Sequence, residues 1–515
     1  MGTVFIAAAG FFELYAFRGA PSEHSLLNAE GMVALAFLAI LLVRSGSAGA
    51  GSGAKLSASS AALIVCVTVL AFLSSLHSPF LYDDYTHITD AAHFTFPAAM
   101  AQFGPVPQPP GLFFRPFGFF LYWLNYLWAD QNPVVWHAVS LALHALAAIL
   151  VLALGGEIGL ARPAALAGAL VFAVAGTAAE TVAWIDARFD LMATCLVLAS
   201  ILLVCRYLRS ARVLWLVTAM GAGAAAMLTK ETAFCLPLLI ACLAFFRGPQ
   251  EGSRIWSASA WSAGLAAALF AYRWWALGGI GGYRSPAGAP AIAQLSPLRS
   301  LNGLFLREWA ILFFPFNWSL DPGTASRLAL ALIPLILAVS AFAARASSRR
   351  LLGCLAFVFA ASLPVQHLLL MGTALSGTRN LYLVSVGWAL LCALVLEAMN
   401  RRLAIAAACL LVAAQWTMLE HNLKAWRSAA QLAQSVCTEF GRTAAAAHGM
   451  VVVSGLPDTR SGAVFLHNGF PQCVEINSGF PAARIFVRET NQPHPAWATG
   501  EFVWNAANNR LEMSK

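Results

Sequence analysis

A polytopic α-helical membrane protein of about 13 transmembrane helices, with a small C-terminal α/β domain, is the fold class that this 515-residue sequence predicts. Three observations carry that prediction. Hydrophobic residues make up 60% of the chain and charged ones 10%, with a mean hydropathy of +0.72, which excludes an ordinary soluble globule. Apolar runs near the ~20 residues that cross a ~30 Å hydrocarbon core as a helix recur along the chain. From about residue 420 the pattern changes to mixed helical and strand periodicity. A β-barrel would instead show alternating segments of ~10 residues.

The predicted spans run from the N-terminus in order. They cover residues 2–17, 30–44, 58–78, 133–154, 163–179, 190–208, 213–229, 232–247, 256–277, 328–345, 351–371, 381–398 and 402–419. The first lacks a basic leading region and a small-residue cleavage site, so it reads as a retained span. Residues 1–57 form two accessory helices and a Gly/Ala/Ser linker, residues 58–419 the transmembrane core, and residues 420–515 the C-terminal domain. Four loops carry Arg206/Arg209/Arg212, Arg247/Arg254, Arg345/Arg349/Arg350 and Arg401/Arg402. The span count puts all four on one side, which makes that side cytoplasmic. The net charge of +8 is therefore a topology signal rather than a nucleic-acid footprint.

The loops on the other side are long and aromatic. In residues 79–132, the stretch from Arg115 to Asp130 reads as an interfacial helix. Residues 278–327 hold a second, interfacial or re-entrant, helix. Beyond residue 420, apolar positions Leu423, Trp426, Ala430, Ala433, Cys437 and Phe440 fall at helical spacing. "MVVVSGLPD", "GAVFLHNGF", "ARIFVRE" and "EFVWNAANNRLEM" read as strands, the last a hairpin. Eight of the ten cysteines lie in apolar segments as small buried hydrophobes. Cys437 and Cys473 lie in the C-terminal region, and whether they pair is a matter of geometry that sequence alone does not establish.

The chemistry concentrates on the side opposite the arginine loops. Asp83 and Asp84, in "SPFLYDDYTHITD", follow the apolar segment Ala61–Leu76 and are flanked by Tyr82 and Tyr85. The plain reading is a solvated turn or helix cap. The functional one makes one carboxylate a general base, with Asp83 slightly favoured, and lets the other bind acceptor or its neighbour, or help hold a divalent metal. Arg115, Arg188, Lys230 and Arg379 fall at span or interfacial-helix ends on the same side. Snorkelling explains any one of them. As a group they run against the positive-inside bias and suit a phosphate-bearing donor. Glu180, Asp190 and Glu231 would pair with and orient a neighbouring cation or bind sugar hydroxyls; the plain reading of each is a structural ion pair. No zinc spacing, phosphate loop or dinucleotide fingerprint occurs.

Three stretches, with the Asp pair, carry a resemblance. "AETVAWIDARFDLMAT", "LTKETAFCLPLL" and "GTRNLYLVSVGWALL" are similar in kind and order to motifs of the GT-C superfamily of membrane glycosyltransferases. They look most like the branch of the transmembrane, tetratricopeptide-repeat O-mannosyltransferases and their bacterial, family 39-like relatives. The resemblance covers much of residues 79–400. It implies an inverting transfer from a polyprenyl-phosphate-linked sugar to an acceptor protein, glycan or lipid, among membrane lipids and without nucleic acid. It maps the base onto Asp83 and Asp84, donor contacts onto Arg188, Lys230 and Arg379, and a supporting role onto Tyr382. Asp186, Thr378 and Asn380 depart from the family pattern, and no tetratricopeptide repeats follow. No cofactor is required beyond the metal considered at the Asp pair. The location implied is a bacterial inner membrane, with site and C-terminus on the extracytoplasmic side. The alternatives are a lipid or glycan transporter or flippase, for which mid-membrane charges and inverted repeats are the expected signs, and a non-catalytic scaffold with a periplasmic binding domain.

The charge asymmetry makes a direct prediction. A reporter active only outside the cytoplasm, fused after Lys515, should be active; signal from a cytoplasm-only reporter there would reverse the side assignment and every role built on it.

Overall fold

The computed structural model describes residues 57–105, 113–283, 296–320, 348–369, 371–447, 449–489, 492, 495 and 500–513. The predicted spans 2–17, 30–44 and 328–345 lie outside them, as does nearly all of the accessory unit 1–57. The first described helix, α1 (Ala58–Phe72), is capped by the Ser57 hydroxyl accepting from the Ser60 amide at 3.1 Å and continues as a 3₁₀ turn, Leu73–Ser75. α2 (Asp83–His93), α3 (Phe96–Ala101) and α4 (Pro116–Ala129) occupy the loop that sequence read as holding one interfacial helix. α4 covers the predicted stretch as a helix, burying Gly118, Tyr122 and Asn125 and exposing Leu124, Leu127 and Trp128.

The core follows as α5 (Pro133–Glu157), α6 (Arg162–Ala173), α7 (Ala178–Ala183), α8 (Arg188–Ser210), α9 (Val213–Met227), α10 (Leu236–Cys242, with 3₁₀ turns on both sides) and α11 (Gly252–Leu277). The short α12 (Pro297–Asn302) and α13 (Glu308–Phe313) are joined by a π-helical turn and expose Leu298, Leu301 and Phe305. These helices fall in the segment 278–327 where sequence predicted a second helix, interfacial or re-entrant. α14 (Ser348–Ser362), α15 (Tyr382–Glu397) and α16 (Arg401–Ala444) complete the bundle. α15 is its centre, buried along nearly its whole length. Close packing there depends on a glycine: a Cβ on Gly168 of α6 would sit 2.8 Å from the Ala389 carbonyl oxygen of α15.

Ten predicted spans therefore correspond to helices, but the count of 13 does not stand. Seven helices among the described residues are long and apolar enough to cross a membrane. Arg162–Ala173, Val213–Met227 and Glu231–Phe245 are apolar but short. At 1.5 Å per residue, 12–15 residues rise only about 18–22 Å. The span read as 163–179 breaks after Ala173, where Gly176 must pack within 2.7 Å of the Pro315 ring at its Cβ position.

One end of the bundle gathers the arginine loops. Glu157 pairs with both Arg209 and Arg247, Arg350 with Glu397 at 2.7 Å, and Arg349 donates to the Ala244 carbonyl at 2.6 Å. Loops far apart in sequence thus share one rim, as the sidedness argument requires. The Asp83 turn lies toward the opposite end: Asp84 bonds the Asp186 amide just before α8, whose last turn carries Arg209, and Asp83 meets Asn468 of the C-terminal region.

No break occurs at residues 419–420. The span 402–419 and the amphipathic helix after it are one 44-residue helix, α16. It leads into β1 (Val451–Ser454), the small pair β2 (Thr459–Arg460) and β3 (Ala463–Val464), α17 (Phe470–Ser478), β4 (Ile485–Arg488), β5 (Glu501–Asn505) and β6 (Arg510–Met513). The sheet order is β4-β1-β5-β6, with β1 parallel to both neighbours and β5–β6 the antiparallel hairpin that sequence predicted. "GAVFLHNGF" is a strand for only two residues, and α17 was not foreseen. Cys437 on α16 and Cys473 on α17 form a disulfide with Cα atoms 5.9 Å apart.

Thiol counting on the denatured, unreduced protein should find eight free cysteines and one Cys437–Cys473 linked peptide. Cys473→Ala should lower stability by about 2–4 kcal/mol. Ten reactive thiols without reductant would contradict the bond.

Candidate functional site

The site begins with the turn that launches α2. Tyr82 has φ 57 and ψ −121, a backbone state that non-glycine residues seldom adopt. What holds it there is Asp84. This fully buried carboxylate accepts the Leu81 amide at 3.0 Å through Oδ2 and the Asp186 amide at 2.8 Å through Oδ1. Burial, and then the charge of Asp186, push its pKa well above the ordinary carboxylate range, while the two amides pull the other way. Asp84 is thus committed to structure on both oxygens. Asp83, beside it, is only half-buried, and Oδ1 accepts from Asn468 Nδ2 at 3.1 Å. Burial and the neighbouring Asp186 raise its pKa to about 6; His87, Asn468 and Arg379 moderate the rise.

His87 lies one helical turn after Asp83, on the same face of α2. It makes a close ion pair with Asp186, on the 3₁₀ turn Ile185–Ala187 that leads into α8. Burial alone would discharge the imidazole, but Asp186 outweighs it and lifts the pKa to about 9, so His87 is a cation at neutral pH. Its ring stands edge-on to Phe119, Tyr122 and Phe189, at 5.2, 5.9 and 6.3 Å between centroids. α4 reaches this aromatic floor because Gly118 carries no side chain: a Cβ there would lie 2.5 Å from the Phe189 ring.

The predicted cations gather around the same place, each with a partner. Arg379 pairs closely with Glu180, donates to the Tyr283 hydroxyl at 3.2 Å and lies 4.8 Å above the Trp184 ring. Lys230 pairs with Asp190 at 2.9 Å rather than with the adjacent Glu231. The reason is local: Lys230 is extended (φ −154, ψ 143), so consecutive side chains point to opposite faces. Glu231 instead receives Arg115, at 2.8 Å, and Arg273, at 3.4 Å. Asp186 is within electrostatic reach of Arg115 and Lys230, and Asp83 of Arg379.

Two expected members sit deeper. Arg188, mapped onto the donor phosphate, is fully buried and spends its guanidinium on Asn125 (2.7 Å), the Trp136 carbonyl (2.7 Å) and Ser140 (3.1 Å). It stacks 4.7 Å over Trp136 and braces α4 and α5 against α8. Tyr382 is buried and donates to His144 Nδ1 at 2.6 Å, since His144 Nε2 gives its proton to the Ala173 carbonyl.

The structure therefore brings together Asp83, Asp84, Arg115, Glu180, Asp190, Lys230, Glu231 and Arg379. It adds His87, Asp186, Arg273, Tyr283 and Asn468, which sequence reasoning did not place in the site. His87 was legible as the residue four after Asp83, had α2 been read as a helix rather than a loop. Arg273 had the mark of a cation at the end of a span. Among the described residues, no group of three or more His, Cys, Asp or Glu side chains is set to ligate a metal. Two cavities lie elsewhere. One of about 230 Å³ is lined by Arg307, Trp318 and Thr373; an apolar groove of about 750 Å³ is lined by Leu238, Trp256, Arg349 and Phe359.

The two aspartates should behave oppositely in thermal unfolding. Asp84→Ala strands two buried amides and should destabilise by about 1–3 kcal/mol for each. The Asp83 carboxyl, raised to about 6 in the fold, favours folding below its unfolded pKa of about 3.9 and loses that contribution as pH rises through its folded value. Asp83→Asn should therefore melt higher than the native chain at pH 7, with the gain vanishing below pH ~4. Equal destabilisation by both substitutions would refute this division.

Compared with known proteins, the chain matches no family model and no curated protein.

Proposed function

We propose that this chain is an inverting glycosyltransferase of the GT-C type, moving a monosaccharide from a polyprenyl-phosphate donor to an acceptor hydroxyl at the extracytoplasmic face of a bacterial inner membrane. The observation that supports this reading best is Asp83: a half-buried carboxylate with a pKa near 6, beside a cluster of cations and at the end of the bundle away from the arginine loops. A group titrating just below neutral pH suits general-base work, being mostly ionised yet still basic. The motif resemblance adds the donor class.

In the proposed reaction Asp83 takes the proton of the acceptor hydroxyl. The freed oxygen bonds to the anomeric carbon from the face opposite the phosphate, and the carbon–oxygen bond to the phosphate breaks. The phosphodiester monoanion leaves as a monoester dianion, so one negative charge is added where the cations lie. Arg115 and Arg273 share the single carboxylate of Glu231 and keep a net positive charge for it. Arg379 and Lys230, aligned by Glu180 and Asp190, would add to that field. Lipid phosphate is a good leaving group, so the second carboxyl of most glycosidases is not needed. Asp84 and Arg188 take positioning roles here, through the backbone turn and the helix junction.

A second reading, a non-catalytic scaffold, draws on one specific observation: Lys230–Asp190 and Arg379–Glu180 are already complete ion pairs. Kinetics separate the two. In lipid nanodiscs, consumption of a polyprenyl-phosphate sugar should fall ~10²–10⁴-fold in Asp83→Asn. The native rate should rise with pH through an apparent pKa of about 6, because only the ionised carboxylate accepts a proton. Arg115→Ala and Arg379→Ala should raise the donor KM far more than the acceptor KM. Full turnover by Asp83→Asn refutes the base. Unchanged donor dependence with a lowered melting temperature moves the scaffold reading ahead.

A further inference from the structure

The C-terminal domain touches the start of α2 at several points. Asn468 Nδ2 donates to Asp83 Oδ1 at 3.1 Å, the Tyr82 hydroxyl to Asp458 Oδ1 at 3.4 Å, and Asn477 Nδ2 to the Tyr85 hydroxyl at 3.1 Å. The approach is close enough to require glycine next to Asn468. Gly469 has φ +71, and a Cβ there would meet the Tyr82 carbonyl oxygen at 2.3 Å. Asn468 is itself exposed, but the backbone that carries it is anchored. It precedes α17, whose first residue, Phe470, is fully buried and whose Cys473 is bonded to Cys437 of α16. A contact across 385 residues of sequence is thus built into a braced frame.

Asn468 meets only one oxygen of the carboxylate. Among the described residues, Oδ1 of Asp83 is the one that takes a side-chain hydrogen bond. A donor on Oδ1 biases the rotation of the carboxylate plane and leaves Oδ2 without a side-chain donor among the described residues. Building on the glycosyltransferase reading, we propose that Asn468 is a positioning residue: the C-terminal domain supplies the amide that orients Asp83 for proton abstraction, so the site is complete only when that domain is docked on α2.

The charges that act on Asp83 come from every element around it. Asp84 and His87 lie on its own helix, Asp186 on the turn before α8, Arg379 on the turn before α15, and Asp458 sits on Tyr82 from the C-terminal domain. Removing the Asn468 amide while leaving these in place should make Asp83 hold its proton more tightly, because a hydrogen bond to the ionised form is lost.

The test labels protonated carboxyls with a carbodiimide as a function of pH, using the full chain in nanodiscs, and quantifies the Asp83 peptide by mass spectrometry. The native midpoint should be near 6. Asn468→Ala should raise it by about one pH unit, and the acid limb of the turnover profile should move by the same amount while the donor KM holds. Asn477→Ala, which removes a domain contact but not the one to Asp83, should leave the midpoint in place. Asn468→Ser, too short to reach, gives the same reading should the alanine variant fold poorly. An unmoved midpoint in folded Asn468 variants overturns the proposal, as does an equal shift in Asn477→Ala. The labelling needs no turnover, so the expected shift in the Asn468 variants, with a native chain that consumes no sugar-lipid, would sink the transferase reading separately.

Discussion

The carboxylate of Asp84 is the constraint on which the site is built. By accepting from the Leu81 and Asp186 amides it ties three pieces of backbone together: the end of the loop after α1, the first turn of α2 and the turn leading into α8. Its burial is costly unless those amides satisfy it. In return, residues a hundred positions apart in sequence fall into fixed relation. Asp83 is presented at the start of a helix, where burial and the nearby Asp186 outweigh the helix dipole and disfavour its charge. His87 meets Asp186, and Arg188 is swung inward to brace the helix junction. The unusual backbone of Tyr82 follows from the same tie.

Charge pairing then shapes what surrounds the turn. Within an apolar bundle an isolated cation is expensive, so Lys230, Arg379 and Arg115 have each drawn a carboxylate. The pairs differ in what they leave over. Asp190 and Glu180 each balance one cation, whereas Glu231 serves two guanidinium groups.

How much of this could be read from the sequence depends on the period of the signal. Long apolar helices such as Pro133–Glu157 were legible because hydropathy integrates over many residues. The exceptions were Arg162–Ala173, which ends before the turn at Gly176, and Val213–Met227 and Glu231–Phe245, which meet at the Lys230 turn. Strands Val451–Ser454 and the last hairpin showed through their β-branched and aromatic runs. α2 did not, since "DDYTHITDAAH" is too polar and short for a hydrophobic period, and with it His87 was lost from the site. Lys230 and Asp190 were both singled out, but their partnership is set by tertiary packing that spacing cannot reveal. Asn468 carried no local signal at all; its meaning comes only from where the fold delivers it.

The unbroken run of Arg401–Ala444 has a consequence for how the two parts of the chain can move. A 44-residue helix rises about 66 Å. It acts as a lever arm rather than a tether, rooted among the membrane helices and clasped to α17 by the Cys437–Cys473 bond at its far end. Tilting such an arm by ~5° at its root carries the tip through about 6 Å. A small tilt of the arm within the bundle is thus a displacement of several ångströms at α17, the element from which Asn477 reaches Tyr85.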